Sequence, residues 1–283
     1  MKFVVIVLSV FLFCLQANAL VNGVSSVATG ESRIDITTQI EGGKIEPNEN
    51  KASFQNADIK TNHLKYTYGL DSFSVFSVPN LSVSYSQFTS NEERVGNTLF
   101  YAADKGSVLT LGFSAELLHD PNRQFGFYIN VTPSSNYNKK KFSNSRIDTF
   151  SFGVNSLFNL SAEIFQKSLI HYASGDGQDQ NSSLAVDSGF GFRLSKWAQF
   201  PLVLSTTLFL EADLKDRFDA SYDAAFSALG TTDRIRAFKY GTLLGLSGNV
   251  TDSVSVSFDY LQKLGGYDAR STQISKLGLG FKF

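Results

Sequence analysis

From Arg33 onward the chain alternates apolar and polar positions in short stretches. Ile34, Ile36 and Ile40 share one face of Arg33–Ile40, with Arg33 and Asp35 on the other, because successive side chains of a strand project to opposite faces. The pattern returns with Leu64, Tyr66, Tyr68 and Leu70 opposing Lys65, Thr67, Gly69 and Asp71, and then with Leu81, Val83 and Tyr85. It continues through Leu109 to Leu117, Phe125 to Val131, and Phe150 to Val154. The second half repeats it at Leu184 to Leu194, Leu202 to Leu210, Phe238 to Leu246, Val254 to Tyr260 and Ile274 to Phe283. Ser161 to Tyr172 is the exception: its apolar residues fall on both faces, and Gln166 sits on the outer side if Glu163 and Lys167 face inward. Counting it, the pattern predicts twelve strands.

The connections add a second regularity. Counted back from Phe283 they alternate between longer polar loops of about 8 to 22 residues and turns of about 3 to 6. The predicted loops are 41–62, 89–106, 133–145, 173–183, 212–233 and 263–270. The predicted turns are Val78-Pro79-Asn80, His119 to Asn122, a tight turn near Phe158-Asn159, Lys196 to Gln199 and Asn249 to Asp252. Pro79 fits a turn, since proline cannot donate to a ladder. An even number of alternating strands, joined short at one end and long at the other, predicts an all-β fold: a transmembrane antiparallel up-and-down β-barrel of about twelve strands, with the apolar faces toward lipid. A large soluble β-protein is the competing reading.

The N-terminus supports export. Lys2, the 13-residue apolar run Phe3 to Leu15, and Ala17-Asn18-Ala19 form a signal peptide over 1–19, leaving a barrel domain over 20–283. The run is shorter than the roughly 20 residues of a spanning helix. Phe13 before Cys14 argues against a lipidation signal. Cys14 is the single cysteine and leaves with the leader, which excludes disulfides, thiolate catalysis and cysteine-type zinc sites from the mature chain. The formal charge of −1, or −2 without Lys2, argues against nucleic acid as a partner. Phe 26, Tyr 11 and Gly 22 against Pro 5 suit strands with one lipid face.

The last ten residues carry a resemblance. Leu277, Leu279, Phe281 and Phe283 alternate with Lys276, Gly278, Gly280 and Lys282, and a final alternating strand closing on Phe283 resembles the C-terminal signature of bacterial outer-membrane β-barrels. That resemblance implies an outer-membrane location, an assembly signal at Phe281 and Phe283 read by the barrel-assembly machinery, and contact with outer-membrane lipid and lipopolysaccharide. The layout over the mature chain is similar to small-solute channel families, including barrels associated with aromatic-compound degradation and twelve-stranded nucleoside or oligosaccharide channels. No plug domain is expected before the barrel and no periplasmic domain after it.

If the apolar faces meet lipid, the opposite faces place Arg33, Asp35, Lys65, Asp71, Glu116, Glu163, Lys167, Asp187, Arg193, Glu211, Lys239, Asp259, Lys276 and Lys282 toward the lumen. Seven of each sign would line a narrow path of balanced charge and weak ion preference, or pair across a closed interior. A passive channel for small solutes is the leading expectation. A structural or surface-interaction barrel with a closed lumen is the alternative, followed by an outer-membrane lipid hydrolase. The outer-membrane phospholipase is also a twelve-stranded barrel, but its family pattern, a Ser two residues after the catalytic His, is absent: Lys65 follows His63, Pro121 follows His119, and Ala173 follows His171. His171 reads as a rim residue, and no catalytic residue, metal or cofactor is expected. Gly175 to Asp179 reads as a solvated loop, too poor in carboxylates for a calcium loop. Lys139-Lys140-Lys141 is placed outside, within reach of lipopolysaccharide, and Trp197 reads as an interfacial anchor.

Overall fold

A computed structural model describes residues 27–42, 45–46, 59–91, 93–95, 98–101, 104–120, 122–136, 150–174, 182–194, 201–214, 238–267, 269–270 and 273–283. Twelve strands close into an antiparallel barrel in which each pairs with its chain neighbours. They are β1 (Ser32–Gly42), β2 (Ile59–Gly69), β3 (Ser77–Ser90), β4 (Asp104–Asp120), β5 (Arg123–Asn136) and β6 (Phe150–Asn159). The second half contains β7 (Ile164–Ser174), β8 (Ser183–Arg193), β9 (Leu202–Asp213), β10 (Phe238–Asn249), β11 (Val254–Tyr267) and β12 (Gln273–Lys282). Pairing of β1 with β12, from Arg33 opposite Lys282 to Gly42 opposite Gln273, closes the ring and leaves no edge.

The wall is apolar outside. Ile36, Ile40, Leu64, Leu81, Leu111, Phe190, Leu208, Leu244, Leu277 and Leu279 are all exposed, whereas Asp35, Thr67, Lys167, Ser205 and Ser247, on the opposite faces of their strands, are buried. This inversion of a soluble protein is what a lipid exterior and a polar interior require. β7 breaks the pattern for a visible reason. Phe165, Lys167 and Ala173 are buried on its inner face, and Phe165 joins Leu157 and Val203 in an inward apolar cluster near the turn end. Gln166 faces outward, bonding Ser168 Oγ at 2.6 Å, and Ser168 bonds Ser188 at 2.9 Å. A second inward cluster, Ile59, Phe88 and Val108, lies toward the loop end.

Several boundaries differ from the expected ones. The turn expected at Val78-Pro79-Asn80 lies earlier, at 70–76, where Phe73 and Phe76 bridge. Pro79 belongs to β3, at a register shift between Ser77 and Asn80 that removes the need for its missing N–H. The turn near Phe158-Asn159 is displaced to 160–163, because Asn159 still pairs with Phe165. Strands run further into the loop end than their apolar residues indicate: β2 starts at Ile59 within the expected loop, and β11 continues to Tyr267. The expected loop 89–106 carries a short ribbon of Glu93–Val95 with Thr98–Tyr101, and Ala269–Arg270 pairs with Ile45–Glu46. The expected 1–19 leader, Lys139 to Lys141, Gly175 to Asp179 and the expected turn with Trp197 lie outside the described residues.

Candidate functional site

The inward faces form the candidate site, in three tiers from the turn end to the loop end. At the turn end the charges are closed into contacts. Arg33 donates to Asp35 at 2.8 Å and to Ser255 Oγ at 2.8 Å, and Lys282 meets Glu31 at 2.8 Å. Gly280 makes the first arrangement possible, since a Cβ there would collide with the Arg33 guanidinium. Arg193 donates to Asn159 Oδ1 at 2.6 Å and to the Ala162 carbonyl at 3.1 Å, with its guanidinium 4.8 Å from the centre of the Phe165 ring. The segment before β1 is drawn to the same end: Val27 is buried and its N–H donates to Asn80 Oδ1 at 2.9 Å.

The middle tier is different. Lys65, Lys276, Asp187 and Asp259 are half-buried on inner faces four to six residues from the turn end of their strands. Among the described residues none of these four closes an ion pair or a side-chain hydrogen bond, although Asp259 and Lys276 are cross-strand neighbours. Lys167 lies behind them, buried, its Nζ donating to Ser205 Oγ at 3.2 Å and its charge shared between Asp259 and Asp187. It reaches Ser205 on β9 across β8, from a position opposite Gly189 in register. At the loop end the charges close again, with Lys239 Nζ 3.0 Å from Glu211.

The opposite half of the ring, β3 to β6, is lined mainly by hydroxyls and amides. Thr110 and Thr132 are 3.2 Å apart, and Asn130 donates to Ser151 Oγ at 3.2 Å. Tyr128 lies over Gly153, stacks on His171 and hydrogen-bonds its Nδ1. Glu116, half-buried on β4, is the one charged member of the expected set on this side.

Twelve of the expected residues therefore lie on the inner wall or at its turn-end rim, and two do not lie on strands. Asp71 is exposed in the connection after β2, because β2 ends at Gly69. Glu163 sits in the 160–163 turn beside Ser161, its backbone accepting from Arg193 N at 2.7 Å. His171 is not at the rim but inside, three positions from the end of β7. Lys263, buried on the inner face of β11, was hidden by its place in an expected loop, yet it shares strand parity with Asp259. His63, tested in sequence only against the His-x-Ser spacing, has its Nδ1 2.7 Å from Ser86 Oγ on the neighbouring strand, a contact no spacing within one strand reveals. The charges that face His63 are Lys276 and Lys65, and it makes no other side-chain hydrogen bond among the described residues. A base-and-nucleophile pair needs a group that orients the base and stabilises its charged form. Two lysines do neither, so this pair reads as wall lining.

Comparison of the whole fold with solved structures places it. An outer membrane channel from Pseudomonas putida F1 superposes with TM-score 0.68 at 12% identity, covering 91% of this chain and 97% of that one. The fold is that of a bacterial outer-membrane β-barrel. Two autotransporter domains follow with lower likeness: the beta domain of Bordetella Brka at TM-score 0.52, 9% identity and coverage of 89% and 100%, and the translocator domain of NalP from Neisseria meningitidis at 0.50, 13%, 94% and 93%. No protein-family model matches the chain, and no curated protein matches it.

Proposed function

We propose that this barrel is a passive channel for small solutes in the outer membrane of a Gram-negative bacterium, exported by the 1–19 leader and oriented with its short turns toward the periplasm. One observation carries the reading: among the described residues Lys65, Lys276, Asp187 and Asp259 of the central tier close no ion pair, while Arg33 with Asp35 and Lys282 with Glu31 at the turn end, and Lys239 with Glu211 at the loop end, do. Unpaired charge in a dry interior is costly, so a water-filled path that solvates all four is the economical explanation. Balanced signs predict weak ion preference. The expected lumen residues retained in this role are Arg33, Asp35, Lys65, Glu116, Lys167, Asp187, Arg193, Glu211, Lys239, Asp259, Lys276 and Lys282. Asp71 and Glu163 are set aside, since neither lies on a strand.

The assembly signal at Phe281 and Phe283 fits the final strand, where both rings are exposed and the Phe283 backbone pairs with Ser32. A closed-lumen barrel is the second reading, favoured by Val27 and the Leu157, Phe165 and Val203 cluster near the turn end. Planar-bilayer recording separates the two. Steady current steps with a reversal potential near zero in a salt gradient support the channel, and silence from correctly folded protein supports the closed barrel.

A further inference from the structure

Resting on the channel reading, we propose that the lumen selects compact hydrophilic zwitterions of the amino-acid class over uncharged polyols of similar size. The central tier offers a solute two cations, Lys65 and Lys276, and two anions, Asp187 and Asp259. Around the ring Lys65 on β2 and Lys276 on β12 flank β1, and Asp259 on β11 and Asp187 on β8 flank β10 and β9, so the cations occupy one arc and the anions continue it. The boundary between the arcs is the pair Asp259 and Lys276, opposed across β11 and β12 in register. Directly opposed side chains start about 4.5 to 5.5 Å apart at Cβ, yet these two do not close to ion-pair distance. Both remain turned to the interior.

Two features keep the pair open. Lys167 Nζ, bonded to Ser205 Oγ on β9, places a further positive charge on the wall between β8, which carries Asp187, and β11, which carries Asp259. On the cation side, Lys65 and Lys276 repel one another while Asp35 attracts Lys65. Gly278 and Gly280 follow Lys276 along the inner face of β12, so no side chain of that strand covers the boundary from the turn side. Across the lumen, β5 and β6 stand opposite β11 and β12 in the twelve-strand ring and present Asn130, Ser151 and Asn155.

The chemistry of the solute follows. An anion drawn by Lys276 meets Asp259 beside it, and a cation drawn by Asp259 meets Lys276, so neither monovalent ion gains much. A neutral polyol gains hydrogen bonds but leaves four charges without partners. A zwitterion presents an ammonium to Asp259 and a carboxylate to Lys276 at once, replacing water on both with opposite charge. Amide and hydroxyl groups on the far wall solvate the remainder without imposing a sign.

Proteoliposome swelling with isotonic serine or isotonic erythritol tests this. In the wild type serine enters about threefold or more faster than erythritol, because the mixed-charge arc raises its local concentration. The double variant Asp259→Asn with Lys276→Met brings the ratio to about one, the value expected with no field at the boundary. Heat-modifiable gel mobility confirms that each variant is folded. A charge exchange, Asp259→Lys with Lys276→Asp, keeps both signs at the boundary and keeps the serine preference. Serine entering no faster than erythritol in the wild type, or a preference that survives the double neutralisation, overturns the proposal while leaving the channel intact. Entry of neither solute overturns the channel reading and this inference with it.

Discussion

Replacing Phe165 by Ala tests whether the inward apolar cluster stabilises the barrel. Its ring is 1% exposed, packs with Leu157 and Val203, and lies over Gly191, which has no side chain to fill the space left behind. Burial losses for Phe to Ala run about 3 to 5 kcal/mol, and the small size of this cluster points to about 3. Loss of the Arg193 guanidinium over the ring adds about 1 kcal/mol, for a total of about 4. With a urea slope of about 2 kcal/mol per molar, the unfolding midpoint falls by about 2 M. The assay is urea unfolding of protein refolded in detergent micelles, followed by far-ultraviolet circular dichroism. Arg193→Gln and the double variant complete a cycle in which the bonds to Asn159 and Ala162 cancel, leaving a ring–guanidinium coupling of about 1 kcal/mol. A loss below about 1 kcal/mol for Phe165→Ala, or a coupling indistinguishable from zero, would refute the packing described.

Three further outcomes follow from the same wall. Gly191→Val puts a side chain where the Phe165 ring lies, so the barrel loses about 1 to 3 kcal/mol in the same urea assay, and unchanged stability would mean the ring is elsewhere. Glu211→Gln breaks the 3.0 Å pair with Lys239 near the loop end; with both side chains about a fifth exposed the cost is about 1 kcal/mol or less. Exchanging the two residues restores the urea midpoint, and a swap as unstable as the single variant contradicts the pair. Phe283→Ala keeps both backbone bonds to Ser32 and removes a ring that is 68% exposed, so refolded stability changes by less than about 1 kcal/mol. Assembly in cells, read as the heat-modifiable fraction in outer membranes, falls sharply, and normal assembly would remove Phe283 from the signal.

The barrel was legible because its exterior rule is simple: alternation with period two, and an alternation of short and long connections, locate β1, β8, β9, β10 and β12 within a few residues. Strand ends were not legible where polar residues continue the ladder. Ile59 to Asn62 and Lys263 to Tyr267 extend β2 and β11 by backbone pairing that apolar periodicity does not report. Pro79 misled because a bulge makes its missing donor harmless. The sign and parity of the lumen charges were readable, but not which of them close. Gly280 opens the space in which Arg33 reaches Asp35, and Lys167 reaches Ser205 two strands away. The contacts of His63 with Ser86 and of Tyr128 with His171 depend on register between strands, a property of the assembled wall.

The central claim is a continuous aqueous path past the middle tier, and the single cysteine, Cys14, falls in the proposed 1–19 leader, outside the barrel strands, which opens a direct test. Asp259→Cys, recorded in a planar bilayer, is exposed to a cationic methanethiosulfonate reagent added to one chamber and then, in a fresh membrane, to the other. The account predicts that current steps change irreversibly from either side, with the wild type unaffected. Steps that never appear, or a thiol that reacts from neither side, would contradict it.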